Sequence, residues 1–171
     1  FRAKAPNEKW ATDVTEFKWY EGPVVHKLYL SAILDLYDLS PVAWVVSRRN
    51  DNKLVLDTFA KAIRSNPDAK PIFHSDRGFQ YTSKIFQDKL RKQGMTQSMS
   101  RVGHCIDNGP AENFWSIVKS EMYYLDTFTD EASLRNAIAD YMSFYSTDRI
   151  QERFKGKAPA EVRAEALAAD S

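Results

Sequence analysis

Residues 9–20, KWATDVTEFKWY, alternate so regularly that they constrain the fold before anything else is considered. Ala11, Asp13, Thr15, Phe17 and Trp19 fall on one face at a period of two, the signature of a β-strand. Asp13 is the anomaly. Aspartate is disfavoured in strands, and its neighbours on that face include Ala11, Phe17 and Trp19. A second aspartate raises the same question. In PIFHSDRGFQYTS, residues 71–83, a short apolar run breaks into polar residues at Asp76, with Gly78 two positions on.

The rest of the pattern supplies a frame for these two acids. VVHKLYLSAILDLYD reads as a second strand after the turn at EGP, and SPVAWVVSRR as a third after Ser40–Pro41. Short connections between them predict an antiparallel meander. The period then changes. Val55, Phe59, Ala62 and Ile63 recur at helical spacing from Asp51 to Ser65, with Asp51 or Asn52 as the cap. AKPIFHS is a fourth strand, Thr82 to Gln93 a helix with Phe86 and Leu90 inward and Gly94 at its end, and MTQSMS a fifth strand. Pro110 opens another helix running to about Tyr124, with Phe114, Val118, Met122 and Leu125 on its core face. Thr129 to Tyr145 is the last, with Leu134, Ile138, Tyr141 and Tyr145 inward. The order implies an α/β fold, a mixed five-stranded sheet flanked by helices. Ligands gather at strand ends in such sheets, which is where Asp76 falls.

Composition narrows the functional classes. The chain has 171 residues, enough for one core, and a formal net charge of +1. Whole-domain basicity is therefore not what would bind nucleic acid; local clusters would have to. A lone cysteine, Cys105, cannot form an internal disulfide and points to a reducing, cytoplasmic setting. No apolar run approaches the ~20 residues of a membrane span. The first residue is Phe1 rather than Met, so the chain is expected to be a piece of a longer protein.

Glu112, in the first turn of the helix opened by Pro110, is the third acid of interest. Each alone has an ordinary explanation: an exposed strand residue, a loop cap, a helix-dipole partner. Together they could converge at one edge of the sheet. Three carboxylates ~4–5 Å apart repel by several kcal/mol even at an effective dielectric of ~20. A bound cation or protonation relieves that. All-oxygen ligands favour Mg²⁺ or Mn²⁺ over zinc, and two such ions suit phosphoryl transfer.

WATDVTEF, FHSDRGFQYTS and SMSRVGHCIDNGPAENFWSIVKSE, in that order, resemble the DDE catalytic core of insertion-sequence transposases of the IS-three group, a retroviral-integrase-like (rve) core. The 35 residues between Asp76 and Glu112 match that group's spacing. The tail FYSTDRIQERFKGKAPAEVR resembles its C-terminal segment, so residues 1–145 are expected to form the core and 146–171 a C-terminal segment packed on it or trailing it. The resemblance implies an RNase H-like fold and metal-dependent DNA cleavage and strand transfer. It implies Asp13, Asp76 and Glu112 as catalytic and metal-binding residues, with Mg²⁺ or Mn²⁺, two ions, as cofactor. The implied partners are transposon ends and target DNA, with a homo-oligomer in the active complex and a bacterial, nucleoid-associated location. Lys119, two helical turns beyond Glu112, is placed to meet a phosphate, and Arg77 and Arg101 are further candidate DNA contacts. His104 stands where the group has asparagine, and Asn108 and Gly109 form the expected turn before the Glu112 helix. A DNA-binding or assembly module without catalysis, and an RNase H-like nuclease that only hydrolyses, are the alternatives.

Overall fold

A computed structural model describes residues 3–101 and 109–170. His104, Cys105 and Asn108 therefore lie outside the described residues.

The alternating stretch forms β1 (Lys9–Glu21) at the centre of a five-stranded sheet. It is followed by β2 (Val24–Asp35) and β3 (Pro41–Ser47), and the three form the antiparallel meander. Next come helix α1 (Asn52–Ser65), strand β4 (Ile72–Ser75), helices α2 (Phe79–Thr82) and α3 (Lys84–Lys92), and strand β5 (Thr96–Met99). Helices α4 (Gly109–Glu121), α5 (Glu131–Thr147) and α6 (Pro159–Ala169) complete the fold. The strand order is β3-β2-β1-β4-β5, with β4 and β5 parallel to β1.

Period-two alternation divides the core. Phe17, Leu28, Leu30 and Ala32 pack one face of the sheet against Phe114, Trp115 and Val118 of α4 and Leu134, Ile138 and Tyr145 of α5. Trp10, Ile33 and Phe73 pack the other against Val55, Phe59 and Ala62 of α1 and Phe86 and Leu90 of α3. Full burial of each large side chain stabilises by about 1.5–3 kcal/mol. Local signals set the helix ends. The Asp51 side chain accepts from the Leu54 N–H at 3.0 Å, and Asp130 accepts from Ser133 N–H at 2.7 Å. Gly94 takes φ +73° just past α3, where a side chain would be strained.

Two sequence expectations need correction. The helix expected over Thr82–Gln93 is α3, which starts only at Lys84 because Ser83 leaves helical geometry and caps it by accepting from Phe86 N–H, and a separate short helix, α2, precedes it where a loop was expected. Leu125 is not in the core. Helix α4 stops at Glu121, a 3-10 turn spans Tyr123–Leu125, and Leu125 is 76% exposed.

The free edge of β1 beyond β4 is covered by that turn. The Tyr123 hydroxyl accepts from Lys18 N–H and donates to Lys18 O, and Tyr20 N–H donates to Phe128 O. Edge groups left open would invite pairing with other chains. At the C-terminus, Arg163 of α6 donates to Asp35 at 2.8 Å, to Asp38 at 3.1 Å and to Asn7 at 2.9 Å. Both aspartates are fully buried. Among the described residues no helix is long and apolar enough to cross a membrane.

Candidate active site

Asp13 and Asp76 meet through strand register. Lys9 pairs with Ile72, Trp10 with Phe73 and Ala11 with His74, each offset by 63 positions. The same offset carries Asp13 to Asp76, two residues past the last pair, where β4 has ended and β1 continues. In parallel strands, residues at one register point to one face. Asp13 shares its face with Ala11 and Phe17, the face covered by α4.

Asp13 is half-buried, and its environment acts on its charge. Burial pushes its carboxyl up to about 6, and the negative charges of Asp76 and Glu112 push in the same direction. Hydrogen bonds from the Val14 N–H and the Trp115 indole oppose that rise. The Trp115 Nε1–H donates to Asp13 Oδ2 at 3.1 Å. Trp115 therefore ties the strand carboxylate to α4 one turn after Glu112.

Asp76 is held by its own loop. Its Oδ1 accepts from Gly78 N–H at 2.7 Å. A Cβ at Gly78 would lie 2.9 Å from that oxygen and 3.1 Å from Gln80 Oε1. Close approach, not backbone conformation, is what requires glycine here, since its φ of −57° is open to any residue.

Glu112 is exposed on the first turn of α4, close enough for its charge to act on Asp13. Among the described residues, no three His, Cys, Asp or Glu side chains form a group that could hold a metal ion as they stand. The donor set is nonetheless the right chemistry for Mg²⁺ or Mn²⁺: oxygen-only, anionic and partly desolvated, with mutual repulsion that a cation would relieve.

The basic candidates occupy different places. The Lys119 ammonium lies 5.6 Å from the Phe17 ring centroid, and burial lowers its pKa below the ordinary lysine value. It sits about 10 Å along the helix from Glu112 by helical rise. Arg77 is exposed but partly committed, its Nε–H donating to Ser100 O at 2.8 Å. Arg101 is exposed just beyond β5. Trp115 and Tyr81 are the site neighbours that sequence reasoning missed. Trp115 occupies a core-face helix position, where an indole reads as packing. Tyr81 sits in a polar loop motif, where a tyrosine carries no distinguishing signal.

The integrase core domain family matches residues 3–105, and a second integrase core domain pattern matches residues 112–167. An Escherichia coli K12 protein, InsK of insertion sequence element IS150, is 40% identical over 164 residues, covering 95% of this chain and 56% of that protein. The chain thus spans about half the length of that relative. A Haemophilus influenzae transposase-like protein is 40% identical over 98% of this chain and 76% of its own length. The transposase of insertion sequence element IS904 from Lactococcus lactis is 35% identical over 94% of this chain and 63% of its length. Among solved structures, the HTLV-2 integrase catalytic core domain in complex with magnesium, in its dimeric form, superposes with a TM-score of 0.72 at 21% identity, covering 95% of this chain and 99% of that one. A chain of the simian T-cell lymphotropic virus intasome gives a TM-score of 0.77 at 17% identity, covering 95% and 56%. The mixed sheet with flanking helices is the RNase H-like fold of retroviral integrase cores, and the chain belongs to the integrase core domain family, alongside the transposases of bacterial insertion sequences.

Proposed function

We propose that this chain is the catalytic core of a DNA transposase, in which Asp13, Asp76 and Glu112 hold Mg²⁺ or Mn²⁺, two ions in the working state, for phosphodiester cleavage and strand transfer. The observation that supports this most directly is the β1–β4 register, whose offset extends from Ala11 and His74 to Asp13 and Asp76, joined to a rise of the Asp13 carboxyl to about 6 to which the Asp76 charge contributes. Desolvated carboxylates in mutual repulsion at strand ends form a receptor for a hard cation. A bound cation would supply positive charge to the attacked phosphate and to the attacking and leaving oxygens.

The protein's own groups then have distinct tasks. The Trp115 indole fixes Asp13 Oδ2, and the Gly78 N–H fixes Asp76 Oδ1. Glu112 is the ligand that has to approach, from the exposed first turn of α4. Lys119 offers a point charge to a flanking phosphate, with Arg77 and Arg101 as outer contacts. The partners under this proposal are the transposon ends and target DNA, engaged by a homo-oligomer.

Asp76→Asn in the full-length protein is expected to abolish Mn²⁺-dependent strand joining while leaving the circular dichroism spectrum and melting temperature near wild type. Retained joining would refute the assignment. A second reading, a DNA-binding or assembly module without catalysis, draws on the open placement of Glu112. Magnesium titration separates the two, since such a module has no carboxylate-linked metal response.

A further inference from the structure

A cavity of about 410 Å³ lies where the first turn of α4 meets the end of β2 and the 3-10 turn Glu152–Phe154. That volume suits a small molecule. Leu34, Leu36, Phe114 and Phe154 give it apolar walls, and Pro110 brings the N-terminal end of α4 to it. Tyr145 and Arg153 also line it. Phe114 holds the Tyr145 ring edge-on, with centroids 4.8 Å apart.

The Arg153 guanidinium is held in place. Gln151 Oε1 accepts from Arg153 Nε–H at 2.8 Å and from Nη2–H at 2.6 Å, which leaves the other N–H groups of the fork for a further acceptor. The turn that carries it is closed on itself: Gln151 N–H donates to Lys157 O, and the Phe154 and Gly156 N–H groups donate to Gln151 O. Burial lowers the Arg153 pKa, Tyr145 opposes that, and among the described residues no carboxylate acts on the guanidinium. Gln151 is 7% exposed, and its Nε2 is buried with no hydrogen-bond partner among the described residues. Gln151 and Arg153 both approach the Tyr145 oxygen as donors, the amide too loosely to be satisfied there. Flanked by donors, the Tyr145 O–H has to be directed at an acceptor elsewhere. Burial raises the Tyr145 pKa, which keeps that proton in place. The polar end of the cavity is thus a set of donors without an acceptor.

We propose that this cavity binds a small carboxylate with an apolar body, its anionic end on the Arg153 guanidinium and the Tyr145 hydroxyl and its body against Leu36, Phe114 and Phe154. The ligand class follows from complementarity. A guanidinium fork matches the two oxygens of a carboxylate. Donors left without an acceptor inside a protein are costly, and the ligand relieves them. The apolar walls favour a hydrocarbon body over a bare inorganic anion. The N-terminal end of α4 adds partial positive charge on the same side. This site is separate from the proposed cation site and does not depend on it.

The test is a saturation-transfer NMR titration of the metal-free, full-length protein with 4-phenylbutyrate at neutral pH. Saturable binding is expected, with the neutral 4-phenylbutyramide at least about tenfold weaker. Arg153→Gln removes the charge and keeps a hydrogen-bonding side chain. It is expected to raise the dissociation constant of the acid about tenfold or more and to leave that of the amide unchanged, a split that general loosening of the fold would not produce. Tyr145→Phe is expected to weaken the acid about three- to tenfold. No saturable binding of the acid would overturn the proposal, as would an amide that binds as tightly as the acid, or inorganic phosphate that displaces it at equal concentration. An acid affinity unchanged in folded Arg153→Gln protein would overturn it too. Should that variant fail to fold, Tyr145→Phe decides in its place, and an unchanged acid affinity there overturns the site.

Discussion

Asp13 is where stability and the proposed chemistry oppose each other. Its carboxyl binds a proton more tightly in the folded chain, at about 6, than at its ordinary value of 3.8. Protonation therefore favours the folded state, so this group costs nothing below about pH 4. The cost grows as pH rises toward 6 and is constant above it. A shift of about two pKa units corresponds to a penalty on the order of 3 kcal/mol at neutral pH. Asp13→Asn is accordingly expected to raise the metal-free melting temperature at pH 7.5, by up to that free energy. The gain should shrink as pH falls and vanish near pH 4, as followed by thermal melts across the range. In saturating Mg²⁺ the order should reverse, with wild type gaining and Asp13→Asn not.

At the scale of elements, the site depends on how α4 lies on β1. Trp115 meets Asp13, and Lys119 meets Phe17 four residues farther along both elements, so helix and strand advance side by side. Trp115→Phe keeps an aromatic ring but removes the donor to Asp13 Oδ2. The expected cost is about 1–3 kcal/mol in urea unfolding, with a larger fractional loss of strand joining than of stability. Much of this level was legible in the sequence. Alternation gave β1 its faces and Asp51 gave α1 its start, while the candidate triad came from the family resemblance. What was hidden involved contacts between distant segments. Trp115 and Asp13 are 102 positions apart, and an indole on a core-facing helix stripe looks like any other core residue. The outward Leu125 was hidden for a different reason: the helical period was extended past Glu121, where the backbone tightens into a 3-10 turn.

Across the whole molecule, the C-terminal helix is attached by charge as well as packing. Arg163 of α6 pairs with both Asp35 and Asp38, which are fully buried, and also reaches Asn7 ahead of β1. Burial raises the Asp35 pKa, with the Arg163 hydrogen bond working against that rise. Arg163→Ala strands two buried acids and is expected to destabilise by about 3–5 kcal/mol. Chemical denaturation of the full-length protein would measure it. Arg163→Ala should leave Mg²⁺ affinity unchanged wherever the protein remains folded, since the pair sits away from Asp13 and Asp76. The 63-position offset between β1 and β4 has a separate consequence. Alignment of the two acids is a matter of parity. One residue inserted between Ile72 and Asp76 would turn Asp76 toward the α1 side, whereas two would turn it back, one notch farther along. A ladder of insertions should therefore read out as an odd–even rhythm in cation uptake.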